Sequence, residues 1–133
     1  MAPRFEGVLE TSLYYDPGQR EEVERLYRDV LGLPVVAEWG DGTALRVGSG
    51  VLLLFDRSGL AERDEPVAAH GSTGPGHACL LAAPGDYEGW KEALEAGGIE
   101  LTHEESWRDG VRSFYCTDPA GNLLEVAEAD IWR

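Results

Sequence analysis

Apolar and polar residues alternate from Phe5 to Tyr15 (FEGVLETSLYY), which predicts a strand. Val8, Glu10, Ser12 and Tyr14 fall on one face of it, and Leu9, Thr11, Leu13 and Tyr15 on the other. Asp16-Pro17-Gly18 ends the strand, and Asp16 followed by Pro17 is a candidate helix start. Beyond this break the period changes. Val23, Leu26, Tyr27, Val30 and Leu31 repeat at helical spacing and form one buried stripe, with Gly32 as the natural stop. Three short strands follow, at 34–39, 42–47 and 50–56, separated by the glycine-bearing turns Gly40-Asp41-Gly42 and Gly48-Ser49-Gly50. The unit reads βαβββ.

Residues 57–75 lack either period and are rich in polar residues, glycine and proline, so they read as a linker. The same order then returns. A strand is expected at 76–82, a helix opened by Pro84-Gly85-Asp86 with Tyr87, Trp90 and Leu94 inward and Gly97-Gly98 as its stop, and strands at 99–105, 110–117 and 122–128. Glu10 precedes Gly32 by 22 positions and His77 precedes Gly98 by 21, so the two copies keep one spacing. The expected fold is α+β, two βαβββ modules whose curled mixed sheets surround a shared pocket. The first module takes residues 1–56, the linker 57–75, and the second module with a short tail 76–133.

Composition narrows the partners. Apolar residues make up 43% of the 133, enough for a packed core. The formal charge is −14, which disfavours nucleic acid and anionic membranes and suits neutral or cationic small molecules. The longest apolar run is Val51 to Phe55, far short of a membrane span, and the first residues carry no signal-peptide pattern, so a cytoplasmic location is expected. Cys79 and Cys116 fall on opposite strand parities, so they are expected as reduced core thiols with no bridge between them.

Three segments carry a family resemblance: the first strand with its following YRDVLGL, the GPGHACLL segment, and the closing SFYCTDPAGNLLEV. In this order the chain resembles the vicinal-oxygen-chelate superfamily over about residues 5–128. That superfamily includes glyoxalase I, fosfomycin-resistance proteins, bleomycin-resistance proteins and extradiol dioxygenases. The resemblance implies a pocket between two half-shells, a homodimer in which modules can be exchanged between chains, and a divalent metal ion. The matching positions are Glu10 in the first strand, His77 at the corresponding place in the second module, and Glu125 in the last strand.

Each has a plainer reading: Glu10 can face solvent, and His77 can be a hydrogen-bonded structural histidine. Glu125, among Leu123, Leu124, Val126 and Ala127, is harder to dismiss, because buried carboxylates are rarely left unpaired. The chain also departs from the family pattern. Histidine is commoner at the position of Glu10, and the last strand of the first module offers no carboxylate before Asp56. Two carboxylates and one histidine suit Mn, Fe, Ni or Zn, and the usual methylglyoxal chemistry is not implied.

Around that set, strand parity places Ser12 and Tyr14 on the Glu10 face and Cys79 on the His77 face. Tyr115 matches a pocket tyrosine of the fosfomycin-resistance proteins and can act as a hydrogen-bond donor or acid, or simply pack; Ser113 shares its face. Trp39 and Trp107 are placed to rim a pocket and stack on a flat ligand, whereas Trp90 reads as core. His70 is either a pocket-edge group or a surface histidine, and His103 reads as surface. Catalysis would rest on Glu125, Glu10 and Tyr115, and substrate contact on Ser12, Tyr14, Trp39, Cys79, Ser113 and Trp107. The chemistry expected is isomerase, lyase, transferase or ring-cleaving dioxygenase action on a small molecule chelated through vicinal oxygens. The alternative is sequestration of a drug, as in bleomycin-resistance proteins. Phosphonate chemistry is disfavoured, since Glu104 and Glu105 stand where a cationic loop would be needed, with only Arg108 and Arg112 nearby.

Overall fold

The structure is a computed structural model describing residues 2–58, 70–72 and 74–132. Residues 59–69 and 73, most of the expected linker, lie outside the described residues. The first sheet holds β1 (Glu10–Tyr15), β2 (Val35–Trp39), β3 (Gly42–Val47) and β4 (Gly50–Asp56) in the order β1-β4-β3-β2. The second holds β5 (His77–Leu81), β6 (Leu101–Ser106), β7 (Arg112–Thr117) and β8 (Leu123–Ala127) in the order β5-β8-β7-β6. In each sheet the first strand pairs parallel with the last and the other ladders are antiparallel. The two sheets therefore repeat one topology, as the repeated spacing in sequence implied; neither is closed.

β1 starts at Glu10, five residues later than the alternation suggests. Among the described residues its ladder partner is β4, whose first pair is Val51 with Glu10, and residues 5–9 pair with none of them beyond one bond from the Val51 amide to the Leu9 carbonyl (2.9 Å). Phe5, Val8 and Leu9 are left exposed.

The first helix also differs from expectation. Its α-helical part, α1, is Arg20–Glu24, and the chain continues as a π-helical turn over Arg25–Val30. The Leu31 amide bonds the Leu26 carbonyl (2.9 Å), five residues back. The N-cap is Gln19 without a side-chain cap on the helix; Asp16 accepts from the Gln19 amide through its carbonyl (3.1 Å) and donates its own amide to Gln19 Oε1 (2.8 Å). Gly32 ends the element at φ +67°, a conformation that costs a glycine little. The stripe is as expected: Val23, Leu26, Tyr27 and Leu31 are buried and Val30 partly so. The second helix, α2 (Tyr87–Ala96), buries Tyr87 and Leu94, with Trp90 packed against them.

One core joins the modules. Leu13, Tyr15, Leu45, Leu52 and Leu54 of the first sheet and Phe114, Cys116, Leu124 and Val126 of the second pack with both helical elements. A Cβ on Gly97 would stand 2.8 Å from a Val30 methyl, which shows how closely the ends of the two helical elements meet. The opposite faces of the two sheets, which carry the even-numbered residues of β1 and the odd-numbered residues of β5, are turned away from this core.

The motif DPAGN forms a polar clamp across the modules. Asp118 accepts from the Tyr27 hydroxyl (2.8 Å), the Ala120 amide (2.8 Å) and the Asn122 amide (2.9 Å). Asn122 accepts from the Gly76 amide (2.8 Å) and donates to the Tyr14 carbonyl (3.0 Å) and to Asp118 (3.0 Å). The clamp thus ties β1 of one module to the start of β5 in the other. Among the described residues, no helix is long and apolar enough to cross a membrane.

Candidate functional site

The second sheet carries the polar chemistry. On its outer face the register sets Cys79 directly across from Glu125, Glu125 across from Tyr115, and Tyr115 across from His103. His77 stands two residues before Cys79 on the same face. Its Nδ1 lies 3.0 Å from the Leu123 carbonyl. A carbonyl only accepts, so Nδ1 carries the proton and donates it, and Nε2 turns outward. Nε2 sits 3.2 Å from Glu125 Oε1. Glu125 is 4% exposed, and its Oε2 is buried with no well-formed hydrogen bond among the described residues, although the Cys79 thiol and the Tyr115 hydroxyl lie close to the carboxylate. A buried carboxylate with an orphaned oxygen is costly unless a cation or a proton joins it. An outward imidazole nitrogen facing it is the arrangement that a metal ligand with an anchored ring displays. His77 and Glu125 therefore fit a divalent metal.

Tyr115 lies over this pair, its ring 6.4 Å from that of His77 and 5.7 Å from that of His103. Burial raises its pKa above the ordinary tyrosine value; contact with Ser113 works the other way and the Glu125 charge adds to the rise. Tyr115 thus keeps its proton at neutral pH and is a donor. Ser113 is buried and accepts from Trp107 Nε1 (2.9 Å), which holds the half-exposed indole at the rim. Crowding by neighbouring atoms and then the Glu125 carboxylate push the Cys79 thiol up to about 12. The expectation of two core thiols is corrected here: Cys116 is buried in the core, whereas Cys79 is exposed on the site face, because successive strand residues point to opposite sides.

The first sheet is different in kind. Its outer face is apolar, with Ala44, Leu53 and Phe55 buried and Tyr14, Ala37 and Val51 packed against them. Tyr14, Phe55 and Trp39 line this face as an aromatic floor of roughly parallel rings, with centroids 6.4 and 6.0 Å apart and interplanar angles of 27° and 21°. His70 stands edge-on to Tyr14 and Phe55 and hydrogen-bonds the Tyr14 hydroxyl, so it is a group of this face as well as an exposed residue. Ser12 lies beside the floor, half-buried. β4 supplies no carboxylate here, as its sequence indicated.

Of the three residues marked as metal donors, the structure brings His77 and Glu125 into contact. Glu10 sits at the first residue of the edge strand β1 and is exposed. Among the described residues, no three His, Cys, Asp or Glu side chains are placed to hold one ion. Arg112 is engaged by Glu128 (2.9 Å) and Glu88 (3.0 Å), and His103 pairs with Glu105 (2.9 Å) on the surface. Asp118 and Asn122 were not singled out from sequence, although they position β1 and β5. The available signal was the DPAGN turn itself, whose Asp and Asn are residues that bond nearby backbone.

A model of the glyoxalase/bleomycin resistance protein/dioxygenase superfamily matches residues 19–126. The chain belongs to that superfamily. Among solved structures, a lactoylglutathione lyase from Agrobacterium tumefaciens is 36% identical, with a TM-score of 0.88 over 97% of this chain and 98% of that one. An integron cassette protein from the mobile metagenome of V. cholerae (22% identical, TM-score 0.72, 96% and 98% covered) shares the fold. So does a glyoxalase/bleomycin resistance protein/dioxygenase from Nocardioides (18%, 0.69, 95% and 85%). No curated protein sequence matches. On the outer face of the second sheet, His77, Glu125 and Tyr115 stand side by side.

Proposed function

We propose that this superfamily member is a metal-dependent lyase or isomerase acting on a small molecule that chelates through neighbouring oxygens. The reading is carried by the buried Glu125 carboxylate, whose Oε2 has no well-formed hydrogen bond among the described residues while His77 Nε2 faces its other oxygen. His77 and Glu125 would hold the ion, with Glu10 as a third donor reaching them from the first sheet of a partner in a homodimer. A divalent ion such as Mn, Fe, Ni or Zn would polarise the substrate oxygens as a Lewis acid. Glu125 or Glu10 would take up a proton from the substrate, and the Tyr115 hydroxyl would donate a hydrogen bond to a developing oxyanion. Trp107 and Ser113 would border the substrate on the second sheet, and Ser12, Tyr14 and Trp39 on the first.

The likeness to a lactoylglutathione lyase makes lactoylglutathione the first product to test. Chelator-treated protein reloaded with each ion should form it from the corresponding thiol adduct. His77→Ala and Glu125→Gln should each lower kcat/KM by about 100-fold or more, as removal of a metal ligand or base does. Full activity in chelator, or unchanged activity in both variants, would refute the reading.

A second reading, drug sequestration, is favoured by the aromatic floor of Tyr14, Phe55 and Trp39 on a chain of charge −14. A flat cation would stack there. Binding of such a compound lost in Trp39→Ala and indifferent to His77→Ala would support it.

A further inference from the structure

We propose that residues 5–9 form an arm that docks onto a second copy of this chain, with Phe5 seated in an apolar recess beside Trp90 and the rest of the arm in the cleft between β1 and β5. The proposal rests on the homodimer invoked above, to which it gives a contact, and is independent of the metal. Residues 5–9 alternate like a strand, yet among the described residues only the bond from the Val51 amide to the Leu9 carbonyl ties them to a neighbour (2.9 Å). A Cβ on Gly50 would stand 3.2 and 3.5 Å from the Leu9 and Val8 carbonyls, so the base of the arm runs close against β4. Further out Phe5 is fully exposed, and Val8 and Leu9 are exposed as well. Three large apolar side chains in five residues gain free energy when a partner covers them.

The same molecule carries the complementary surface. β1 and β5 are edge strands of their sheets. They are joined where Asn122 bonds the Gly76 amide and the Tyr14 carbonyl. Away from that junction lies a cleft of about 420 Å3, with Val8, Leu9 and Thr11 on one wall and His77, Cys79 and Leu80 on the other. A recess of about 90 Å3 adjoins it through Val47 and Leu80 and is bounded by Leu33, Leu81 and Trp90. An edge strand offers unpaired backbone groups to an incoming strand, and an apolar recess offers a seat for one side chain. The arm and β5 (His77–Leu81) are both five residues long.

Charge selects a second copy as the occupant. Among the described residues, no Asp, Glu, Lys or Arg lines the cleft or the recess, and residues 5–9 carry one charge, on Glu6. The chain as a whole is −14, so two copies repel over most of their surfaces and meet at least cost where both are uncharged. A two-fold exchange fills both clefts at once and closes the assembly at two chains. It also has a consequence for the candidate site. His77 belongs to the receiving wall and Glu10 follows directly on the arm, so the exchange carries the partner copy's Glu10 toward His77.

The test is sedimentation equilibrium of the whole protein at physiological salt, which should show a dimer. Phe5→Ala and Leu81→Asp should each raise the dimer dissociation constant by about 10-fold or more, the scale of an aromatic anchor and its seat. Both residues are exposed, so both variants should keep their far-ultraviolet circular dichroism. A second measurement replaces Phe5 with the photo-crosslinker p-benzoylphenylalanine in an equal mixture of 14N and 15N chains. Irradiation should join position 5 to the peptide bearing Leu81 or Trp90 in mixed-isotope pairs. Crosslinks confined to single-isotope chains would mean that the arm folds back on its own chain and would overturn the proposal, as would a monomer at all concentrations. A dimer indifferent to Phe5→Ala and Leu81→Asp overturns the arm contact and leaves the functional reading standing.

Discussion

Replacing Asn122 by Ala should destabilise the protein and loosen the candidate site together. Asn122 is 2% exposed and makes three side-chain hydrogen bonds, at 2.8, 3.0 and 3.0 Å, to the Gly76 amide, the Tyr14 carbonyl and Asp118. Truncation strands the Gly76 amide and the Tyr14 carbonyl in a packed region and leaves Asp118 with fewer donors. Each stranded buried group costs about 1–3 kcal/mol, so a total near 3 kcal/mol is expected. For a chain of this size that corresponds to a fall in Tm of about 10 °C. Gly76 immediately precedes His77, and its carbonyl accepts from the Leu123 amide (2.9 Å), so the same truncation frees the start of β5 and metal affinity should fall as well. Thermal unfolding and calorimetric metal titration read the two effects. Asn122→Asp is the informative partner variant. It keeps the shape but sets a second carboxylate beside Asp118, so its deficit relative to the unaltered protein should shrink as the pH falls and one of the pair takes a proton. A Tm change of under about 3 °C for Asn122→Ala, or less than about 1 kcal/mol, would refute the clamp.

Glu24 supplies a pH prediction. Burial raises its pKa, but hydrogen bonds from Arg20, Arg28 and Thr43 outweigh that and hold it below the usual carboxylate value. Its stabilising contribution is therefore fully present above the unfolded-state pKa and is lost as pH falls through the lower folded value. Glu24→Gln should lose stability at pH 7 and show a shallower acid dependence below pH 4.5 in urea unfolding; parallel acid profiles would count against it. Gly42→Ala should cost about 1–3 kcal/mol through overpacking, since its Cβ would stand 2.5 Å from the Phe55 ring and 2.7 Å from the Leu54 carbonyl. It should also disturb the aromatic floor, read as a change in Trp39 fluorescence; wild-type stability would refute it. On the proposed reading, Tyr115→Phe should lower kcat of the metal-loaded protein by about 10-fold or more with metal affinity unchanged, because the hydroxyl would donate to the substrate and not to the ion. A loss confined to metal affinity would reassign it.

Local rules made much of this protein legible. Period-2 alternation and turn glycines placed β3 and β4 within their observed bounds and assigned every site residue of β5, β7 and β8 to its face. The helical stripe from Val23 to Leu31 also followed from spacing, because a helix buries one side whatever its partner. The π-helical turn did not, since periods of 3.6 and of a wider turn leave the same apolar positions inward over so short a run. Strand length depended on tertiary pairing: residues 5–9 alternate like a strand but face no ladder partner among the described residues.

The site divides in the same way. Parity could say that Cys79 and His77 share a face, but only the parallel β5–β8 register sets Cys79 opposite Glu125 and turns His77 Nε2 toward it. Parity likewise gave Glu10 a face but not its surroundings; β1 is an edge strand and Glu10 its first residue, so it stays in solvent. The clamp through Asp118 and Asn122 joins residues about a hundred positions apart, a contact that no window of sequence contains. Backbone sterics and side-chain period act over a few residues and are written in the chain. Register, edge position and long-range hydrogen bonds arise from packing the whole, and in this protein they decide which donors meet.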